Sequence, residues 1–235
     1  MSLLDHLDDL RRAHEGQDGL ALLRALLKEG PLAGRTALVS SFGAESAVLL
    51  DIVATVDPAT PVIFLDTGKL FAETQEYREE LVAVLRLGDV RVIRPSAAAL
   101  GRYDPGGELW RREPDLCCHI RKTEPLQEAL AGLAGWITGR KRFQAGLRSR
   151  LPTIEPEWLS GRIKINPLAP WSAEDVERYR VLRNLPKHPL VDRGYRSIGC
   201  ATCTRPVSAG ETPRAGRWRG LDKTECGIHL QGGAA

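Results

Sequence analysis

The sequence predicts an α/β protein, a mostly parallel sheet with helices on both faces and a loop-rich C-terminal tail. Three observations carry this. Short apolar runs such as "TALVSS", "PVIFLD" and "DVRVIRP" alternate with longer stretches of helical spacing. That alternation sets strands side by side in parallel, with helices covering the faces. The first two runs end in turns of small and polar residues, "SSFGAES" and "LDTG", at the sheet edge where open α/β folds bind ligands. Beyond about Gly194 the periodicity fades, and Gly, Pro and Arg dominate.

Each element can be justified in order. "LLDHLDDLRRAHEG" and "GLALLRALLKEG" read as amphipathic helices, each stopped by glycine. "TALVSS" is a buried strand and "GAESAVLLDIVATV" a helix. "PVIFLDTG" is a second strand, with Asp66 placed to cap the helix in "LFAETQEYREELVAVLRLG". "DVRVIRP" is a third strand. "EPLQEALAGL" is a helix with Pro125 tolerated in its first turn. "GWITGR" and "GRIKINPL" supply a fourth and a fifth strand, and "SAEDVERYRVLRNL" a helix capped by Ser172. No repeat or low-complexity linker interrupts the pattern. Residues 1–235 are therefore expected to form a single domain, with its tail starting near residue 204.

The chain has 235 residues, 43% hydrophobic and 27% charged, ordinary for a soluble globular protein. A net charge of +3 is too small to argue for nucleic acid. No apolar run approaches the roughly 20 residues of a membrane helix. The expectation is neither nucleic acid nor membrane as a partner. The acidic, amphipathic start "MSLLDHLDDL" lacks the features of a signal peptide, which points to the cytoplasm. There the five cysteines, Cys117, Cys118, Cys200, Cys203 and Cys226, argue against a disulfide framework.

The chemistry gathers at a few motifs. "SSFGAES" offers Ser40, Ser41 and Gly43 where backbone N–H groups and a helix start favour an anion; an ordinary small-residue turn is an equal reading. "LDTG" adds Leu65, Asp66, Thr67 and Gly68. "GRKRFQAGLRSR" carries Arg140, Lys141, Arg142, Arg148 and Arg150 without an acid. It is either a solvated loop or a clamp for phosphate or sulfate, whose oxygens guanidinium groups match in pairs. "DLCCHIRK" holds adjacent cysteines, which do not readily bond each other. "GCATC" alone fits a redox pair, half a zinc site or half an iron–sulfur site. Together the two pairs supply four thiolates, which suits an iron–sulfur cluster or zinc. If "DLCCHIRK" is helical, Cys118 and Lys122 share a face. Cys226, in "KTECGIHL", follows Arg214, Arg217, Arg219 and Lys223 closely, and nearby cations favour a thiolate. His229 reads as a surface histidine or as an assistant to Cys226.

Taken together, the Cys-Cys…C-x-x-C set, "SFGAES", "LDTG", "RAGRW" and the terminal "ECGIHL" resemble the assimilatory phosphosulfate reductases. Within them they resemble the iron–sulfur branch, adenylyl-sulfate (APS) reductase, from about Ser40 to Leu230. The resemblance implies an adenine nucleotide alpha hydrolase-like fold and a [4Fe-4S] cluster on Cys117, Cys118, Cys200 and Cys203. It implies reduction of APS to sulfite and AMP, within sulfate assimilation and cysteine biosynthesis. Cys226 would be the nucleophile, forming an S-sulfocysteine that thioredoxin, or a glutaredoxin-like reductant, reduces. Ser40, Ser41, Gly43 and Leu65, Asp66, Thr67 and Gly68 would hold the adenosine part. Lys122, Arg148, Arg214 and Arg217 would face the phosphate and sulfate.

The chain departs from the family pattern at Ser46, where Asp is frequent, and at His119, where a small residue is common. It also departs at "TGRKRFQ", although Gln144 and Arg148 keep their places. Three alternatives stand beside this reading. The first is a reductase for PAPS, the 3'-phosphorylated nucleotide, or for both substrates; that branch typically lacks the four paired cysteines. The second is an ATP-dependent sulfur-transfer enzyme of the same fold, which calls for a loop that "SSFGAES" does not match. The third is a non-enzymatic metal module, which leaves Cys226 and the arginine tail without a purpose. A monomer and a homo-oligomer fit the sequence equally.

Overall fold

The computed structural model describes residues 3–28, 30–144 and 148–229. Residues 145–147 of the basic stretch and Leu230 of "ECGIHL" lie outside the described residues. Two helices, α1 (Leu7–Ala13) and α2 (Gly19–Leu27), lead into β1 (Thr36–Ser40). The expected alternation follows: α3 (Ser46–Val56), β2 (Val62–Leu65), α4 (Ala72–Leu85) and β3 (Val90–Ile93). A helical stretch comes next, α5 (Ala97–Tyr103), α6 (Leu109–Arg112), α7 (Pro114–Cys118) and α8 (Glu124–Ala129). Then come β4 (Gly135–Ile137), β5 (Ile154–Glu157), β6 (Arg162–Ile165) and α9 (Ala173–Leu182).

The strands form one sheet in the order β3-β2-β1-β4-β6-β5. Every neighbouring pair is parallel except β5 with β6. The order reverses direction at β1, the kind of switch point where open sheets leave a crevice. Side chains alternate across the sheet with period two. Leu38, Val62, Phe64, Ile163 and Ile165 join the larger core with α2 and α3. Ala37, Ile63 and Trp136 point the other way, against Leu126 and Leu130. Helices thus cover both faces, as expected.

The strand missed in the sequence is β5. "IEPE" has two carboxylates and a proline and does not look like a strand. It lies at the sheet edge, where proline is tolerated, so "GRIKINPL" is the sixth strand rather than the fifth. Ser172 caps α9 as expected, in a full capping box with Asp175. Asp66 does not cap α4, whose N-cap is Phe71. Its carboxylate instead accepts from Gly68 N–H at 3.1 Å and pairs with Arg94 Nε at 3.1 Å.

Pro125 also sits differently from the expectation. α7 and α8 are one helical run joined by a π turn over His119–Thr123, in which Glu124 N–H donates to His119 O, five residues back. Inside a regular helix Pro125 would press on the carbonyl four residues earlier. A wider turn just before it relieves that conflict.

His188, after α9, is fully buried against α4. Leu190 N–H donates to its Nδ1 at 3.1 Å, so its other nitrogen, Nε2, carries the proton toward Thr74 Oγ1 at 3.1 Å. Burial holds this imidazole neutral, with a pKa lowered to about 4 despite Glu73. The unfolded chain then binds the extra proton below the ordinary histidine pKa, so stability rises with pH across that window and is lost on acidification. Between pH 7.5 and pH 5 the expected loss from this group is about 2 kcal/mol. Urea titrations at both pH values should show His188→Asn, weaker at pH 7.5, losing less over the interval than the native chain. Among the described residues no helix is long and apolar enough to cross a membrane.

Candidate active site

A cleft opens at the carboxyl ends of β1, β2 and β4. Ser40, Ser41, Gly43, Leu65 and Thr67 line it, together with Lys122, Arg148, Arg214, Arg217, Cys200 and Cys226. Asp66 and Gly68, expected beside them, fall outside the lining, as do Cys117, Cys118 and Cys203. The first turn is held open by its own side chains. Ser40 Oγ accepts from Phe42 N–H at 3.2 Å, and Ser46 Oγ accepts from Gly43 N–H at 2.8 Å. Serine at position 46 therefore has a defined task in the turn. Phe42 is buried and takes a left-handed backbone, φ 46°, uncommon for a bulky residue. Its ring meets Phe64 edge-on at 5.3 Å, which locks the strained turn onto the core. His119 is exposed, so its size costs nothing there.

The five cysteines are all free thiols. Cys117 and Cys118 end α7, while Cys200 and Cys203 flank a short turn over Ala201–Cys203. A bridge of Cys200 to Leu70, with Ala201 N–H donating to Lys69 O at 2.8 Å, draws the C-x-x-C beside the "LDTG" turn. There Thr67 Oγ1 lies 3.3 Å from Cys200 Sγ. Thr67 is thus turned toward a thiol as well as lining the cleft. Its carbonyl accepts from Arg121 Nη1 at 2.7 Å, and Arg121 Nη2 pairs with buried Asp104 at 2.6 Å. This buried arginine joins the helix carrying one cysteine pair to the turn touching the other.

Burial pushes the Cys117 thiol up to about 11, against the pull of Arg121, and the charges of Cys200 and Cys203 add to the rise. Cys118 packs with Trp218 and Cys226, with Cys203 against them. Among the described residues no three His, Cys, Asp or Glu side chains form a ready site for a single ion.

Cys226 sits on the tail, buried at the inner wall of the cleft. A hydrogen bond from Cys118 holds it well below the usual thiol range. Lys122, the Ile228 N–H and Arg217 act in the same sense and, with that bond, outweigh burial. Burial disfavours the Lys122 ammonium, yet the charges of Cys200, Cys226 and Cys118 overcome this and raise its pKa. Arg217 lies over the Trp218 ring at 4.4 Å and against Gly199. A Cβ at position 199 would run into its guanidinium, so a larger residue there would make the arginine shift.

Among the described residues of the basic stretch, four of its five cations have partners in the chain. Arg140 pairs with Glu155, Lys141 with Glu45 at 2.8 Å, and Arg142 Nε donates to Leu151 O at 2.9 Å. Arg148 meets Glu225 with Nε at 2.5 Å and Nη2 at 2.7 Å, and Arg150 is exposed. Arg214 reaches the same Glu225 at 3.2 Å. Two of the four cations expected to face the substrate's anionic groups are therefore held by an acid of the chain.

His229 is not a surface histidine. It stacks on Trp136, centroids 5.9 Å apart and planes 7° off parallel, with Nδ1 buried and unpartnered. Burial and the cations Arg140, Arg148, Lys164 and Arg214 lower its pKa well below the ordinary value. Sequence reasoning missed Glu45, Glu225, Trp218 and the 196–199 segment in the cleft wall. For Glu225 the signal was present: a lone acid amid the tail's cations, directly before Cys226.

Fold and cleft together define an α/β protein of the adenine-nucleotide-binding type, with a cationic, thiol-bearing crevice at the switch point. The phosphoadenosine phosphosulfate reductase domain matches residues 35–206, and the chain belongs to that family. It is 54% identical over 196 residues to adenosine 5'-phosphosulfate reductase of Mesorhizobium japonicum, covering 83% of this chain and 76% of the relative. To the enzyme of that name from Halalkalibacterium halodurans it is 37% identical, covering 97% of this chain and 98% of the relative. It is 43% identical to phosphoadenosine 5'-phosphosulfate reductase of Gloeobacter violaceus, covering 82% and 81%. The solved phosphoadenylyl-sulfate reductase from Candida auris superposes with a TM-score of 0.72 at 29% identity, covering 86% of this chain and 97% of that one. FMN adenylyltransferase of Candida glabrata shares the fold alone, with a TM-score of 0.54 at 15% identity over 91% of this chain and 78% of that one.

Proposed function

We propose that this chain reduces adenylyl sulfate to sulfite and AMP, with Cys226 as nucleophile and thioredoxin, or a glutaredoxin-like protein, as reductant. The observation that carries the reading is the placement of Cys226, a thiol in the wall of the cleft that Lys122 and Arg217 also line. The Cys226 thiolate attacks the sulfuryl sulfur, and the bond from sulfur to the phosphate oxygen breaks. AMP leaves with that electron pair, and Cys226 keeps the sulfonate as S-sulfocysteine. A thiolate of the reductant then attacks Cys226 Sγ, sulfite departs, and a second thiol of the reductant resolves the mixed disulfide. Two electrons pass from dithiol to sulfur.

The attack brings a thiolate toward a centre ringed by anionic oxygens, so cations must offset the repulsion and the charge gathering on AMP. Lys122 and Arg217 stand where they can do so. The Ser40–Gly43 turn and the start of α3 line the part of the cleft that would take the nucleotide, with the Phe42 and Gly43 N–H groups already held by Ser40 and Ser46 Oγ.

The paired cysteines fit an iron–sulfur group. Cys117, Cys118, Cys200 and Cys203 are four soft donors in one neighbourhood, and Arg121 and Lys122 offset thiolate charge at Cys117 and Cys118. Bound there, a [4Fe-4S] cluster would supply a polarisable anionic charge next to Lys122. Cys118 as a ligand has no proton to donate, and Lys122, the Ile228 N–H and Arg217 are then the groups that favour the Cys226 thiolate against burial. Five free thiols suit the reducing cytoplasm.

Anaerobically purified protein should be brown, with about four irons per chain; bound zinc in colourless protein refutes the cluster. Turnover with APS and with PAPS under one reductant decides the substrate. Sulfite at a much higher kcat/KM from APS supports the proposal. A preference for PAPS refutes it in favour of the reaction named for the Gloeobacter relative.

A further inference from the structure

Glu225 directly precedes the proposed nucleophile and is only 9% exposed. Its carboxylate takes two donors of Arg148 in a fork and one of Arg214. Arg148 belongs to the body, in the connection between β4 and β5, whereas Arg214 and Glu225 belong to the tail. Arg214 also donates to Thr224 O at 2.8 Å, which folds the tail back on itself just before Cys226. Another tie between tail and body, Lys223 to Asp115, ends on a carboxylate that is 78% exposed, and such pairs hold little. The Glu225 fork is buried, so removing the carboxylate would leave two guanidinium groups facing each other in a poorly solvated place. Burial and the neighbouring Arg148 already work against the charge on Arg214.

We propose that Glu225 is the pin that seats Cys226. Its carboxylate engages Arg148 and Arg214 to hold the tail closed over the cleft. This rests on the assignment of Cys226 as nucleophile. It makes Glu225 a positioning residue, acting through the backbone of its neighbour. The competing role is a stand-in anion, a carboxylate that occupies the arginines until substrate displaces it.

The test compares Glu225→Gln and Glu225→Asp with the native full-length holoenzyme. Iodoacetamide labelling of Cys226, followed by peptide mass, should run about ten-fold faster or more in Glu225→Gln, because the tail opens locally. Trypsin cleavage after Lys223, whose side chain is 4% exposed in the closed tail, should accelerate in parallel, a readout independent of thiol reactivity. At saturating APS, formation of the Cys226 sulfonate should slow about 10- to 100-fold, as expected for a misplaced nucleophile. Glu225→Asp keeps the charge and should fall between the two, and it carries the comparison if Glu225→Gln does not fold. Unchanged labelling and cleavage overturn the pin; so does tighter APS binding with undiminished sulfonation, which is the signature of the stand-in anion. Native enzyme that forms no sulfonate from APS or PAPS refutes the reductase reading instead, while labelling and proteolysis, which need no substrate, still decide the pin.

Discussion

Cys226→Ser should abolish sulfite release from APS, by about four orders of magnitude or more, and no covalent sulfonate should appear in the intact mass. The expectation follows from the surroundings of the thiol. Lys122, the Ile228 N–H and Arg217 favour the thiolate over the thiol. A serine hydroxyl in the same place has a far higher pKa than a thiol and stays protonated. Among the five cysteines, 226 lies outside the two close pairs, so iron content and colour should be unchanged in the variant. That combination, cluster kept and adduct lost, separates a nucleophile from a structural thiol. An adduct surviving the substitution would sink the assignment, since another cysteine would then carry the sulfonate.

Lys122→Ala should lower kcat about 100- to 1,000-fold, the range for removing one preorganised charge-stabilising donor. Lys122 lies in the cleft, and its charge is tied to thiols on both sides, Cys118 and Cys200 of the pairs and Cys226 of the tail. Without it the attacking thiolate, the departing AMP and the thiolate set lose a common counter-charge. The pairs keep Arg121, anchored by Asp104 and the Thr67 carbonyl, so iron content should hold above that of any variant lacking one of the four cysteines. Iron loss equal to the loss of activity would instead make Lys122 a structural residue.

Much of the fold was legible because its elements obey simple periods. β1, β2 and β3 are short apolar runs, and α9 announces itself with a capping serine. β5 was hidden because an edge strand is relieved of the apolar alternation and proline restrictions that mark central strands. The helices at 97–103 and 109–112 are short and bury little, so no apolar stripe reveals them.

The cysteines were legible as motifs, and the structure brings them into one neighbourhood. What could not be read was the pairing of charges. Arg148 and Glu225 are 77 positions apart, and Lys141 and Glu45 are 96 apart. A basic stretch without local acids is neutralised by acids that only the fold brings in. His229 deceived for the same reason, since its stacking partner Trp136 lies on a distant strand.

The π turn between Cys118 and Glu124 sets a constraint of a different kind. An α-helix rotates about 100° per residue, and a π turn absorbs one residue beyond the α-helical count. The segment before it aims Cys117 and Cys118 at the thiol neighbourhood, and the segment after it aims Leu126 at the sheet. The wide turn takes up the extra residue between these two faces. Deleting one residue here, even exposed His119, would close the turn to α-helical width and press Pro125 on the carbonyl four residues before it. At this point the chain's length is therefore a stricter requirement than its residue identities.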